Sequence, residues 1–130
     1  MKYIYTAAFK TGEDGKVFAR VPDLKGCITT AEDLATAIDM ITDAASVWLV
    51  VAEDEGLEIA KATPQDQMNV EADEVLSLIK VDTIRYRAAT DTKAVRKNVS
   101  LPAWMASLAE KRGINCSKVL QDGLMSILDS

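Results

Sequence analysis

The sequence contains no histidine, and this absence narrows the chemistry that the chain can perform. Histidine is the usual general base near neutral pH and the most common protein ligand of transition metals. We therefore expect no nucleophilic triad, no zinc centre and no bound cofactor.

Cysteine is also scarce, with Cys27 and Cys116 as the two examples. They are far apart in sequence and belong to different segments. We expect both to be small packing residues, because neither their number nor their spacing suits a disulfide framework or a metal pair.

Long apolar runs are missing, and none approaches the ~18 residues of a membrane span. No N-terminal signal-peptide pattern is present either. With 48% apolar and 27% charged residues in a chain of 130, the composition is that of a soluble globular protein. We expect a cytoplasmic protein with one domain, or a core domain plus a small appendage.

Basic residues are fewer than acidic ones, and the difference is unevenly distributed along the chain. The formal net charge is −5, but residues 1–90 hold 9 basic and 16 acidic residues whereas residues 91–130 hold 6 basic and 4 acidic residues. The net charges are therefore −7 and +2. Such a split suggests an anionic partner for the C-terminal part and a basic partner for the N-terminal part.

The clearest pattern in the sequence lies in residues 93–128. From Val95 to Leu101 apolar residues alternate with polar ones, Lys97 being the exception, and this period of two predicts a β-strand. Pro102 suits the first turn of a following helix, where a missing N–H has no cost.

Two helices separated by Gly113 are predicted after this strand. Lys111 and Arg112 in the last turn of the first helix complement its dipole, and Asn115 can cap the second. The apolar residues of each helix fall on one face. They are Trp104, Met105, Leu108 and Ala109 in the first helix and Val119, Leu120, Leu124, Ile127 and Leu128 in the second.

A unit of one strand and two short helices cannot stand alone. Its strand leaves backbone groups unpaired, and its helices bury too little apolar area. We therefore predict a homodimer or a higher oligomer in which the strands of two copies pair about a two-fold axis. A two-stranded ribbon of this kind has the right width for the major groove of DNA.

The polar face of the ribbon would then read bases, since Arg pairs with guanine and Asn with adenine. The second helix would hold phosphate through its N-terminal N–H groups. The predicted base contacts are Arg96, Asn98 and Ser100, and the predicted phosphate contacts are Lys97, Cys116, Ser117 and Lys118. The alternatives are a strand with a solvated polar face and a Ser117 that only caps its helix or faces solvent.

The N-terminal half begins as an antiparallel hairpin. Lys2–Lys10 and Val17–Val21 alternate on either side of the Gly12–Gly15 turn, in which two glycines can adopt positive φ. Residues 27–29 can give a short third strand.

A long helix follows and ends at Gly56. Thr30 with Asp33, or equally Thr29 with Glu32, is predicted to cap its start. Its apolar residues keep helical spacing over roughly five turns. They are Leu34, Ala37, Ile38, Ile41, Ala45, Trp48, Leu49 and Ala52. Val75–Val81 then predicts a further strand of the same sheet, and residues 82–89 a short helix capped by Asp82.

Both halves together resemble the HicB-type antitoxins of the ribbon-helix-helix branch. In the N-terminal half the similarity rests on Tyr3, Ala7, Phe9, Asp14-Gly15, Pro22-Asp23-Leu24, Gly26-Cys27 and Thr29, followed by the Ala-rich helix. In the C-terminal half it rests on Val81-Asp82, Tyr86-Arg87, residues 95–104, Ala109-Glu110-Lys111, residues 113–117 and Val119-Leu120.

The resemblance implies an α+β fold in three parts. Residues 1–87 would form a partial ribonuclease-H-like β-β-β-α-β domain, residues 88–92 a linker, and residues 93–130 the ribbon-helix-helix domain. The implied function is an antitoxin that silences a HicA-type mRNA-cleaving toxin and represses their shared operon at operator DNA. Exposed residues around Pro22–Cys27 are candidate toxin contacts, and Trp48 is assigned to the core.

Catalysis by the ribonuclease-H-like half would need several carboxylates around Mg²⁺. The acidic candidates lie in turns or at a helix start, and none lies within the first strand. They are Glu13, Asp14, Asp23, Glu32 and Asp33. We interpret them as structural or solvated and predict no enzymatic activity. The alternatives are a stand-alone repressor with a small-molecule-sensing N-terminal domain and a residual ribonuclease.

Overall fold

A four-stranded antiparallel sheet with the strand order β3-β2-β1-β4 forms the centre of the computed structural model, which describes residues 1–129. The strands are β1 (Lys2–Thr11), β2 (Val17–Arg20), β3 (Ile28–Ala31) and β4 (Val75–Asp82). The helices are α1 (Leu34–Glu55), α2 (Thr83–Thr90), α3 (Ala103–Lys111) and α4 (Cys116–Leu128). The predicted order β-β-β-α-β is confirmed, and so is the mixed α+β class.

The hairpin of β1 and β2 forms as predicted, with Phe9 opposite Ala19 and Thr11 opposite Val17. Phe9, Val17 and Ala19 are buried on the same side of the sheet, because alternate residues of a strand share one side, whereas Thr11 at the end of β1 is exposed. The turn closes with a hydrogen bond from the Gly12 N–H to the Lys16 carbonyl at 2.8 Å. Of the two glycines expected to adopt positive φ, Gly15 does so at 82°.

The cap of α1 lies three residues after Thr30 and four after Thr29, so the expected capping box is wrong in both versions. Thr29 and Thr30 belong to β3, so their backbone is committed to the sheet. Asp33 caps the helix instead and accepts a hydrogen bond from the Thr36 N–H at 2.7 Å. Gly56 ends the helix with φ 67°, as the sequence predicts.

The core lies between α1 and one face of the sheet. Ile41, Ala45 and Leu49 are completely buried there, whereas Leu34 and Ile38 of the predicted stripe are exposed. Trp48 packs against this core, as expected, and its indole N–H donates to the Lys25 carbonyl at 3.1 Å.

Strand β4 adds to the free side of β1, with Tyr3 opposite Val81 and Tyr5 opposite Ile79. Asp82 caps α2 by accepting a hydrogen bond from the Arg85 N–H at 3.2 Å, which confirms the predicted helix and its cap.

The C-terminal helices α3 and α4 are separated by Gly113, which has φ 65°. The predicted strand Val95–Leu101 is not formed in the single chain, where residues 91–102 are neither strand nor helix. A strand needs a neighbour for its backbone groups, and the described sheet contains only β1 to β4. Ser130, the last residue of the predicted C-terminal domain, lies outside the described residues.

Candidate functional site

The C-terminal unit of residues 91–129 leaves its apolar side chains uncovered. No residue in this range is buried, and Ala109 is the only half-buried one. Val95 is 82% exposed and Trp104 65%. Two amphipathic helices with nothing packed on their apolar faces form an incomplete core.

Arg96, Asn98 and Ser100 all lie in the segment before α3, together with Lys97, and all four are exposed. Neither Arg96 nor Lys97 forms an ion pair within residues 1–129. The structure thus leaves the predicted base-contacting side chains accessible on one short stretch of chain.

The predicted phosphate contacts at the second helix are brought together as the first three residues of α4, namely Cys116, Ser117 and Lys118. Asn115 caps this helix and accepts a hydrogen bond from the Lys118 N–H at 3.1 Å. The Lys118 side chain pairs with Asp122 at 3.2 Å. The first two N–H groups of the helix therefore remain candidates for phosphate, and that of Lys118 is used by the cap.

The two cysteines are free and differ in their surroundings. Cys27 is buried in the core, and this burial raises the pKa of its thiol to about 11. Such a thiol stays protonated and unreactive at neutral pH. Cys116 is exposed at the start of α4, so the packing role predicted for it is wrong in the single chain.

A hydrogen-bonded cluster that the sequence analysis missed joins β1, α1 and α2. The Glu53 carboxylate accepts from the Tyr3 hydroxyl at 2.7 Å, the Thr83 hydroxyl at 2.9 Å and the Arg87 guanidinium at 3.2 Å. Arg87 also pairs with Asp54 at 2.9 Å. The cluster fixes the helix that leads into the C-terminal unit.

The electrostatics of this cluster follow from its burial. Desolvation, and then the Glu53 carboxylate, raise the pKa of Tyr3 to about 12. Desolvation would also raise the pKa of Glu53, but the hydrogen bonds from Tyr3, Thr83 and Arg87 outweigh it and hold that pKa below its usual value. Glu53 is therefore charged and Tyr3 neutral at physiological pH.

The acidic residues considered for catalysis are dispersed. Asp23 accepts from both the N–H and the hydroxyl of Thr63 at 2.7 Å, Asp33 caps α1, and Asp14 accepts from the Lys16 N–H in the hairpin turn. Within residues 1–129 no three His, Cys, Asp or Glu side chains are grouped to hold a metal ion.

The sheet face opposite α1 is open and partly apolar. Ile4, Phe18, Ile28 and Leu78 lie on it and are exposed. A cavity of about 340 Å³ opens between Phe18, Ile28, Arg20 and Glu74, at the lower end of the range for small-molecule pockets.

The family model described as a HicB-like antitoxin of bacterial toxin–antitoxin systems matches residues 5–120 of the chain. This match spans most of the sheet, α1, α2, α3 and the first residues of α4. The chain belongs to the HicB-like antitoxin family.

Solved structures share the fold of this HicB-like chain at low sequence identity. A toxin–antitoxin complex from Streptococcus pneumoniae contains a chain with a TM-score of 0.61 and 18% identity, over 97% of this chain and 99% of that one. The Burkholderia pseudomallei antitoxin HicB gives 0.55 and 19%, over 97% and 96%. The antitoxin HicB3 gives 0.50 and 20%, over 83% and 80%. No curated protein matches the chain.

One helix of this HicB-like chain, α1, has the length and apolar content of a membrane span among the described residues. It packs one face on the sheet and carries Asp39 and Asp43 in its first half. Its buried face accounts for part of this apolar content, and Met40, Val47 and Val51 are exposed elsewhere on the helix.

Proposed function

We propose that the chain neutralises a HicA-type mRNA-cleaving toxin in the cytoplasm and represses its own operon at operator DNA, without catalytic activity of its own. The N-terminal domain, which we interpret as a partial ribonuclease H fold, would bind the toxin. The C-terminal unit would form a ribbon-helix-helix dimer. The observation that carries this proposal is the uncovered apolar surface of residues 91–129 in a chain that belongs to an antitoxin family.

The first step of the argument is dimerisation. The apolar side chains of the predicted strand, Val95, Val99 and Leu101, are all exposed in the single chain. Pairing with a second copy would satisfy the strand's backbone and bring the apolar faces of four helices into one core. A two-fold axis lets one contact meet both needs, because each copy presents the same surface to the other.

DNA binding follows from the other face of the same strand. In a paired ribbon, Arg96, Asn98 and Ser100 would project on the side opposite Val95 and Val99, since side chains alternate along a strand. The hydrogen-bonding groups of these side chains match the donors and acceptors that base edges present in the major groove. The N-terminus of α4 would then hold the flanking phosphate.

Toxin binding rests on family membership and on charge. Residues 1–90 carry a net charge of −7, from 9 basic and 16 acidic residues. An enzyme that cleaves RNA needs a positive surface for the phosphate backbone, and oppositely charged surfaces steer association.

A co-expression experiment tests the toxin half of the proposal. The tagged full-length chain would be produced with the small protein encoded next to its gene, and RNA cleavage measured with and without it. We expect a stable complex that suppresses cleavage. A chain that neither retains the small protein nor protects RNA would contradict the antitoxin function and leave a stand-alone repressor.

A gel-shift titration with DNA from upstream of the operon tests the other half. We expect Arg96→Ala to weaken binding at least about 30-fold, because each lost base contact costs about 1–3 kcal/mol and the dimer loses two. Arg112→Ala removes the same charge outside the ribbon and serves as the control. Equal affinities of the Arg96→Ala variant and the wild type would contradict base reading by this residue.

A further inference from the structure

The negative charge of the N-terminal half is concentrated on one helix. Residues 32–55, which comprise α1 and the two residues before it, contain seven acidic residues and no Lys or Arg. The remainder of residues 1–90 holds nine acidic and nine basic residues. The net charge of −7 is therefore the charge of this single element.

The same helix exposes an apolar stripe beside the acids. Met40, Val47 and Val51 are 41%, 43% and 44% exposed. They are spaced seven and four residues apart, so they lie on one side of the helix over about 16 Å of its axis. This stripe is distinct from the face formed by Ile41, Ala45 and Leu49, which is buried against the sheet.

Acidic side chains border the stripe at neighbouring positions. Asp43 lies three residues after Met40 and four before Val47, and Asp54 lies three residues after Val51. Asp54 is paired with Arg87 at 2.9 Å. Asp39 and Asp43 form no ion pair in the part of the chain that the structure describes.

We infer that the solvent-facing side of α1, formed by Met40, Val47, Val51, Asp39 and Asp43, is the docking surface for the basic toxin. This inference rests on the proposed antitoxin function and locates the contact. The three apolar side chains would lie at the centre of the interface, where exclusion of water gives most of the binding energy. The unpaired carboxylates would meet cations of the toxin's RNA-binding surface at the rim.

Charge pairing argues for this surface over the open face of the sheet. On that face, Lys10 pairs with Glu71 at 2.7 Å and Arg20 with Glu74 at 2.8 Å. Those charges are already neutralised within the chain, so the sheet face offers a cationic partner little attraction. Helix α1 carries no cation that could neutralise Asp39 or Asp43 locally.

The same charge distribution assigns the two proposed partners, the toxin and DNA, to different surfaces. DNA is repelled by a surface without a single basic residue, and its proposed contacts lie in the part of the chain with a net charge of +2. One protomer can then hold a nucleic acid and a nucleic-acid-binding enzyme at surfaces of opposite sign.

The test compares full-length variants for binding to the purified small protein encoded next to the gene. Val47→Lys places a cation at the centre of the stripe, and we expect its dissociation constant to rise at least about 100-fold. Asp43→Asn removes one rim charge. We expect it to slow association severalfold at low salt, with the difference vanishing at high salt because exposed charges are screened.

Ile28→Lys is the matched control, since Ile28 is 70% exposed on the open face of the sheet. We expect its affinity to stay within about twofold of the wild type. Circular dichroism and thermal unfolding would show that all three variants are folded. A larger loss for Ile28→Lys than for Val47→Lys would place the toxin on the sheet and overturn the inference.

The outcomes distinguish a failure of this inference from a failure of the proposed antitoxin function on which it rests. If the wild type does not bind the small protein, the antitoxin function itself fails. If the wild type binds and Val47→Lys binds equally well, only the assignment to α1 fails. Binding of the chain to lipid vesicles that Val47→Lys abolishes, with toxin binding unchanged, would also refute it and assign the stripe to a membrane.

Discussion

Between residues 1 and 90, Ile41, Ala45 and Leu49 reach complete burial, whereas between residues 91 and 129 no side chain is buried at all. Both regions carry amphipathic helices with regular apolar spacing. In the first region, the sheet of the same chain covers the apolar face of α1. In the second, the chain provides two helices and no layer to cover them.

This difference shows that an apolar pattern specifies a face that must be covered and leaves open which molecule covers it. In the N-terminal region the covering element is the sheet of the same chain, and all four strands contact α1. In the C-terminal region we propose that it is a second copy. The two regions should therefore respond differently to dilution and to mutation.

The largest effect is expected from Leu124→Asp in α4. Truncation of a buried Leu costs about 2–5 kcal/mol, and a dimer contains two copies of the site. We expect the dimer dissociation constant to rise at least about 1000-fold, measured by sedimentation over a concentration series. Ser126→Asp, on the opposite side of α4, is the control. An undisturbed Leu124→Asp dimer would mean that this face is not the dimer core.

Leu49→Ala addresses the other region. Leu49 is completely buried, so we expect a loss of about 2–5 kcal/mol in the free energy of unfolding of the N-terminal domain. Dimerisation should be unchanged. Urea unfolding followed by fluorescence can report each region separately, because Trp48 lies in one and Trp104 in the other. Leu57→Ala, at an exposed position, should be neutral; equal losses for both variants would contradict the assignment of the core.

Glu53→Ala tests the connection between the two regions. The substitution removes the carboxylate acceptor of the Tyr3 hydroxyl, leaves the Thr83 hydroxyl with the Met1 carbonyl at 3.2 Å as its acceptor, and removes one of the two carboxylates paired with Arg87. We expect a loss of about 1–3 kcal/mol in the stability of the N-terminal domain. Hydrogen exchange should also show faster opening of α2. Glu55→Ala at the exposed end of α1 is the control, and identical behaviour of the two variants would argue against a joining role.

The smallest expected effect is on the stability of the fold at low pH. Hydrogen bonds from Arg20 lower the pKa of Glu74 to about 2, whereas an unfolded Glu titrates near ~4.3. Because the pKa of Glu74 is lower in the folded state, the group stabilises the fold at pH values above its unfolded-state pKa. This contribution is lost as the pH falls from about 4 towards 2. We expect it to amount to about 1 kcal/mol, since Arg20 is partly exposed to solvent.

Glu74→Gln should abolish this part of the acid dependence. The measurement is the free energy of unfolding from pH 5 to pH 2 for the wild type and for Glu74→Gln. Parallel curves for the two proteins would show that the pair contributes nothing.

Local features of the fold could be predicted from the sequence. The alternation of β1 and β2, the stop at Gly56 and the caps at Asp82 and Asn115 depend on residues within a few positions of each other. The predicted cap of α1 is wrong because Thr29, Thr30 and Asp33 are all residue types that favour a helix N-cap. The end of β3 decides among them, and that end depends on pairing with β2.

Contacts between distant residues could not be predicted. The carboxylate of Asp23 binds Thr63, 40 positions away, and Glu53 joins Tyr3 and Thr83. One local signal for the second cluster was present. Three acids in the last turn of α1 oppose the helix dipole, and such an arrangement needs cationic or hydrogen-bonding partners nearby. The roles of Arg96, Asn98 and Ser100 stay predictions.

The absence of lysine and arginine from α1 also determines which reagents can detect its contacts. Trypsin has no cleavage site from Gly26 to Ala60, so the whole helix is released as one peptide. Amine-to-amine cross-linkers cannot attach to α1 at all. Carbodiimide coupling, which joins carboxylates directly to lysines, would instead record a lysine-bearing partner at Asp39 or Asp43 within that single peptide.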